Sequence, residues 1–195
     1  MLRAEALGAV LKAFPTEPIV VTLGTTSREV IALAPDAPNH IHLLDSMGLA
    51  SAVGTGLALA LSDRYAGKIV ALEGDGGLLM GFSILATLAH LQPPNLVIVV
   101  IDDGTYGATG GQWSGSARVD ICGVARACGV TGLEVSDATA LASALDLVRS
   151  GSGPHLIRVR IEPAIRKLPH YLPDPPVLTD RFRGYLRTLP RPRSS

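Results

Sequence analysis

The stretch "KIVALEGDGGLLMGFSILATLAHLQPPNLVIVVIDDGTYGATGGQ", residues 68–112, decides the fold. It opens and closes on β-branched runs, residues 68–75 and 95–103, with a helical pattern over 80–92 between them. That order reads as strand, crossover helix and parallel strand. Residues 96–101 are apolar without interruption. A strand buried on both faces needs no polar alternation, so this run predicts the centre of a parallel sheet. Both runs end in acids: Asp75 stands on a glycine turn, and Asp102 and Asp103 close the second run. Ligands of such sheets bind beyond the carboxyl ends of the strands, so the two acidic sites are expected to share one crevice. The stretch holds no obvious nucleophile and no histidine-based triad.

Working outward, residues 18–23, 40–44, 132–136 and 154–162 supply further strand patterns. Helical patterns fall at 1–14, 27–34, 48–62, 120–128 and 137–150. The sustained alternation predicts an α/β fold, a doubly wound, mostly parallel six-stranded sheet with helices on both faces. Residues 47–62 are rich in Gly, Ala and Ser and fall short of the ~20 residues that span a bilayer, so they read as a fully buried helix pressed close to the sheet or a second subunit. We place one domain at 1–162. A Pro- and Arg-rich tail follows at 163–195, with one short helix near 180–188 and a basic terminus.

The 195 residues are 47% apolar, enough to bury a core. Seventeen basic and seventeen acidic residues balance, so the net field gives no attraction to nucleic acid or an anionic membrane. Cys122 and Cys128 fit neither a zinc knuckle nor a CxxC pair, and a reducing, cytoplasmic setting is expected. The N-terminal stretch reads as a domain helix rather than a secretion signal.

"GDGG" after a strand does two physical jobs. Its glycines let backbone N–H groups close on an anion, and Asp75 offers a hard oxygen ligand. "IDDGTYGATGGQ" adds Asp103 and a glycine-rich loop whose carbonyls and amides are free to ligate. Together they suggest Mg²⁺ bridging the chain to a diphosphate. Neither a Walker loop nor GxGxxG is present, which argues against P-loop NTPase and nicotinamide-binding readings.

"GDGG" followed 25 residues later by "DDGTYG" resembles the thiamine-diphosphate motif. More narrowly, "TTSREV" (25–30), "DSMGLASAVGTGLALAL" (45–61), "GDGGLLM" and "DDGTYGATGGQ" resemble the sulfopyruvate and phosphonopyruvate decarboxylases, over about residues 15–162. The resemblance implies a thiamine-diphosphate-binding fold that holds thiamine diphosphate and Mg²⁺. Asp75 and Asp103 would ligate the metal through their side chains, and Thr105 through its carbonyl. The cofactor would meet Thr25, Thr26, Ser27, Asp45, Ser46, Met47, Gly74, Gly76, Gly77, Tyr106 and Gly107. Among these, Met47 would wedge the cofactor into its bent form, and the Asp45 carbonyl and Met47 amide would bind the aminopyrimidine. One departure stands out: Asp103 replaces the family's Asn and adds negative charge beside a diphosphate.

In this family a glutamate on a separate pyrimidine-binding domain activates the cofactor, and no such domain fits here. The resemblance therefore implies the beta subunit of a two-subunit 2-oxo acid decarboxylase, a lyase with no catalytic residue of its own. A pyrimidine-binding alpha subunit would supply the glutamate in a hetero-oligomer such as α2β2 or larger. Glu17, Glu29 and Glu73 read as surface or turn carboxylates. His40 and His42 are read as facing opposite sides of their strand in structural roles, and Thr109, Gln112 and Trp113 as a lid over the substrate. Two rivals remain open: the beta subunit of a 2-oxoacid:ferredoxin oxidoreductase, whose cysteine cluster this chain lacks, and a non-catalytic cofactor-binding subunit.

Overall fold

A computed structural model describes residues 1–163, 168–169 and 174–190. The expected basic terminus at 191–195 lies outside the described residues. In chain order the elements are α1 (Arg3–Ala13), β1 (Ile19–Val21), α2 (Thr25–Leu33), β2 (His40–His42), α3 (Ala50–Ala60), β3 (Ile69–Gly74), α4 (Asp75–Met80) and α5 (Ile84–Leu91). There follow β4 (Leu96–Asp102), the two-residue strands β5 (Thr105–Tyr106) and β6 (Gln112–Trp113), α6 (Ile121–Ala127), β7 (Thr131–Val135), α7 (Ala138–Ser150), β8 (His155–Arg160) and α8 (Pro175–Thr188).

Six strands form one sheet in the order β2-β1-β3-β4-β8-β7, every neighbouring pair parallel. The expected doubly wound sheet is thus observed, with β3 and β4 at its centre. Their side chains feed two cores alternately, because successive residues of a strand point to opposite faces. Val70, Leu72, Val97 and Val99 pack with Leu7 and Val10 of α1, Phe14 just after it, and Leu141, Leu145 and Val148 of α7. Ile69, Ala71, Ile98 and Val100 pack with Leu78 of α4, Leu85 and Leu88 of α5 and Ile121 and Ala125 of α6.

Three local expectations need correction. The helix expected over 80–92 is α5, shorter at Ile84–Leu91, and a further helix precedes it: α4 begins on Asp75 directly where β3 ends, so "GDGG" is a strand-to-helix junction rather than a free turn. Helix α3 is buried on one face only: Gly54 lies so near β3 that a Cβ there would stand 2.9 Å from the Ala71 Cβ, while Val53 and Leu59 are 42% and 40% exposed. No helix among the described residues is long and apolar enough to cross a membrane. In the tail, α8 buries Leu178 and Phe182 and lies against the edge strand β2.

The third correction concerns His40 and His42. Residues two apart on a strand share a face, and the two rings stand 6.3 Å apart, edge to face. Burial pushes both imidazoles down to about 4, helped at His42 by the neighbouring His40; burial lowers His155 as well. An unfolded histidine titrates near ~6.5, so between these values the unfolded chain binds more protons than the folded one. The stability from neutral, buried imidazoles is therefore full above about pH 6.5 and is lost as pH falls toward about 4. The urea midpoint of the full chain is expected to drop across that window. His40→Leu, at a ring whose Nδ1 has no hydrogen bond among the described residues, should flatten the drop; an unaltered slope would remove His40 from the account.

Candidate functional site

The order in which strands are added reverses between β1, which leads outward to β2, and β3, which starts the walk to the other edge. Such a switch point leaves a crevice beyond the strand ends. There the segments Thr22–Thr26 after β1, Gly74–Gly77 at the β3–α4 junction and Asp103–Thr109 after β4 surround a cleft of about 600 Å³ including its open mouth, with Met47 and Arg3 completing the wall.

Within the acidic pair the roles divide. Asp102 ends β4 and is spent on structure. Its Oδ2 accepts from Arg158 Nε at 2.6 Å, and its Oδ1 accepts from Ser116 Oγ at 2.8 Å and the Gly104 amide at 3.0 Å. Arg158, buried on β8, also donates to Glu134 at 3.1 Å and to the Ser116 carbonyl at 2.8 Å. This network ties the loop after β4 to the neighbouring strand, and it satisfies a charge pair that would be costly if left incomplete.

Asp103, one residue on, turns into the cleft. Its Oδ1 accepts from the Thr105 amide at 3.0 Å and from Thr105 Oγ1 at 3.1 Å, and its Oδ2 is paired with the Arg3 guanidinium. Asp75 faces the same cleft from the first turn of α4, 3% exposed, and accepts a hydrogen bond from Ser114 Oγ. Burial, joined by the negative charges of Asp102 and Asp103, raises its carboxyl to about 6 against that hydrogen bond. Three acids at one place thus carry more negative charge than their partners offset, and a hard divalent cation with oxygen ligands would relieve the surplus.

Glycine brings the walls together. A Cβ at Gly76 would overlap the Tyr106 ring, so only glycine lets the loop after β4 close on α4. The segment bearing Met47 is seated on the end of α4 by backbone alone. At Gly48, whose φ is +84°, a Cβ would stand 2.8 Å from the Gly77 carbonyl oxygen and 2.9 Å from the Gly81 amide. Beneath this contact lies Glu73, fully buried, its Oε2 accepting from the Ser51 amide at 3.2 Å and its carboxyl raised by burial. Glu73 and Glu29, 0% and 2% exposed, are interior groups and not the surface or turn carboxylates expected.

Of the residues singled out in the sequence, Thr25, Thr26, Met47, Gly74, Asp75, Gly76, Gly77, Asp103, Thr105, Tyr106 and Gly107 line this cleft. Ser27, Asp45 and Ser46 do not: Ser27 is buried against His42 Nδ1 at 2.9 Å, Ser46 Oγ donates to the Leu44 carbonyl, and Asp45 holds a left-handed φ of +50°. Thr109 lines the cleft, whereas Gln112 and Trp113 form the exposed outer strand of the β5–β6 hairpin. Arg3 was not legible as a site residue, because one arginine in the first turn of a terminal helix carries no motif.

The sequence profile of the family described as "Thiamine pyrophosphate enzyme, C-terminal TPP binding domain" matches residues 22–159. The chain is 29% identical to sulfopyruvate decarboxylase subunit beta of Methanococcus maripaludis, over 96% of this chain and 98% of that one. It is 33% identical to the subunit of the same name from Methanothermobacter thermautotrophicus, over 92% of each chain. Phosphonopyruvate decarboxylase of Streptomyces viridochromogenes is 36% identical over 96% of this chain, which spans 47% of that longer protein. Among solved structures, a thiamine diphosphate-dependent 4-hydroxybenzoylformate decarboxylase from Rhodococcus jostii RHA1 superposes with a TM-score of 0.69 at 24% identity, over 83% of this chain and 33% of that one, a likeness of fold.

Proposed function

The chain belongs to the thiamine pyrophosphate enzymes, and from that premise we propose that it is the diphosphate-binding beta subunit of a two-subunit 2-oxo acid decarboxylase of the sulfopyruvate or phosphonopyruvate type. The observation that carries this reading is the meeting of Asp75 and Asp103, from separate strand ends, on one glycine-walled cleft. A donor set of two carboxylates and the Thr105 carbonyl suits Mg²⁺ and leaves its other positions to phosphoryl oxygens and water. Backbone amides at Gly76, Gly77, Tyr106 and Gly107, with Thr25 and Thr26, would hold the diphosphate. Met47 would support the cofactor from the far wall. When bound, thiamine diphosphate supplies the electron sink for loss of CO₂ from a 2-oxo acid. The work of this chain is to fix the metal and diphosphate and to wall off water.

No glutamate lines the cleft among the described residues, which supports a catalytic glutamate supplied by a pyrimidine-binding alpha subunit. The outer face of α3 offers such a partner an apolar surface. Leu49 and Val53 are exposed there, and Met80, 63% exposed, lies beside Gly48. In this reading the assembly is a hetero-oligomer, α2β2 or larger, working in the cytoplasm.

Reconstitution tests the proposal. The chain is expressed alone and with the product of the adjoining reading frame, and CO₂ release from sulfopyruvate and phosphonopyruvate is measured with Mg²⁺ and thiamine diphosphate. Turnover is expected from the pair and not from either chain alone. A pair that binds cofactor yet decarboxylates neither acid would reduce this chain to a non-catalytic cofactor-binding subunit.

A further inference from the structure

Arg3 is a buried cation whose hydrogen-bonding capacity is mostly unused. Its side chain is 8% exposed and forms part of the cleft wall. One terminal nitrogen, Nη2, is held by Asp103, while Nε and Nη1 have no partner among the described residues. Guanidinium donors do not lose their protons in a protein, and a buried donor without a partner is destabilising, the more so when charged. Such donors are retained where something else completes them. The segment bearing Arg3 is also fixed: the Leu2 amide donates to Glu5 Oε2 at 2.8 Å, and the Met1 carbonyl accepts from the Glu162 amide beyond β8 at 3.1 Å.

Where the related motif has a neutral Asn, this chain has Asp103, and Arg3 returns the local sum to that of the Asn pattern. A guanidinium anchored at one nitrogen keeps charged N–H donors on the other two, and charge-assisted donors of this kind bind phosphoryl oxygens strongly.

We propose that Arg3 is an anion-binding residue of the cleft: Asp103 fixes it through Nη2, and Nε and Nη1 donate to oxygens of the cofactor's diphosphate. The assignment rests on the cofactor reading above, and the test separates the two. Titration calorimetry with the full chain measures binding of thiamine diphosphate with Mg²⁺ and of unphosphorylated thiamine, for wild type, Arg3→Gln, Arg3→Lys and Arg3→Gln/Asp103→Asn.

Arg3→Gln is expected to weaken thiamine diphosphate by roughly tenfold or more and to leave thiamine unchanged, as loss of charge-assisted bonds to phosphoryl oxygens requires. The double variant should stay at least about fivefold weaker than wild type, because neutralising position 103 does not restore the guanidinium donors. Arg3→Lys, which keeps the charge and loses the separate Nε and Nη1 donors, should fall between, and it decides the matter if Arg3→Gln does not fold. Full recovery in the double variant would make Arg3 only a counter-ion to Asp103 and overturn the proposal. So would unchanged diphosphate affinity in Arg3→Gln and Arg3→Lys, or a rise in substrate KM of the assembled pair as the sole effect. A wild-type chain that binds no thiamine diphosphate overturns the cofactor reading and the Arg3 assignment with it.

Discussion

Gly81→Val is expected to lower stability by on the order of 4 kcal/mol, a fall of roughly 10 °C in Tm for a chain of this size. Any Cβ at position 81 would overlap the Gly48 carbonyl oxygen and lie 3.1 Å from its carbon. Both partners are backbone, so no rotamer change relieves the contact, and one of the two segments has to move. The segment at Gly48 is one of the two that would have to shift. Gly48 carries the left-handed φ that lets the chain turn there, and Met47 precedes it on the cleft wall. The substitution should therefore weaken cofactor binding as well as folding. Gly56→Ala is the control. It sits on the exposed face of α3 with nothing within 4 Å of a new Cβ, and alanine gains up to about 1 kcal/mol of helix propensity over glycine there. A Tm for Gly81→Val within about 2 °C of wild type would show that the two backbones do not interlock.

The contrast between those glycines marks how far the sequence could be read. The sheet was legible because burial on both faces writes itself as unbroken apolar runs in β3 and β4, and because strand ends in such sheets are known to converge. The two cleft acids followed from that placement. Helix α4 was not legible. Six residues with two adjacent glycines have poor helix propensity, and α4 stands because Leu78 is buried in the core and Gly77 fits over Glu73. The burial of Glu73 was hidden for a related reason, since a carboxylate inside is unexpected until Ser51 is seen to reach it. Arg3 was out of reach altogether: its partner Asp103 is 100 residues away, and no local pattern encodes that pairing.

Asp75→Asn should separate binding from folding with opposite signs. Asp75 is a buried carboxylate whose charge is opposed by desolvation and by the adjacent Asp102 and Asp103. Asn keeps the size and can still accept from Ser114 Oγ, so the free protein loses a repulsion and no packing. Its Tm is expected to hold or rise near neutral pH. Binding is expected to behave in the opposite way: if Asp75 is the metal ligand proposed above, replacing its charge by a neutral group should cost at least about a hundredfold in Mg²⁺-dependent affinity for thiamine diphosphate, close to 2.7 kcal/mol. Asp102→Asn provides the comparison, because it strips the buried Arg158 of the nearer of its two charge partners, at 2.6 Å, and leaves Glu134 at 3.1 Å; the loss there should appear as about 3 kcal/mol of stability. Thermal unfolding and calorimetry on the two variants, each with and without Mg²⁺, measure both quantities. If Asp75→Asn bound the cofactor as tightly as wild type, or lost binding only by unfolding, the cation would have to sit elsewhere. The convergence of the β3 and β4 ends would then be architecture without chemistry.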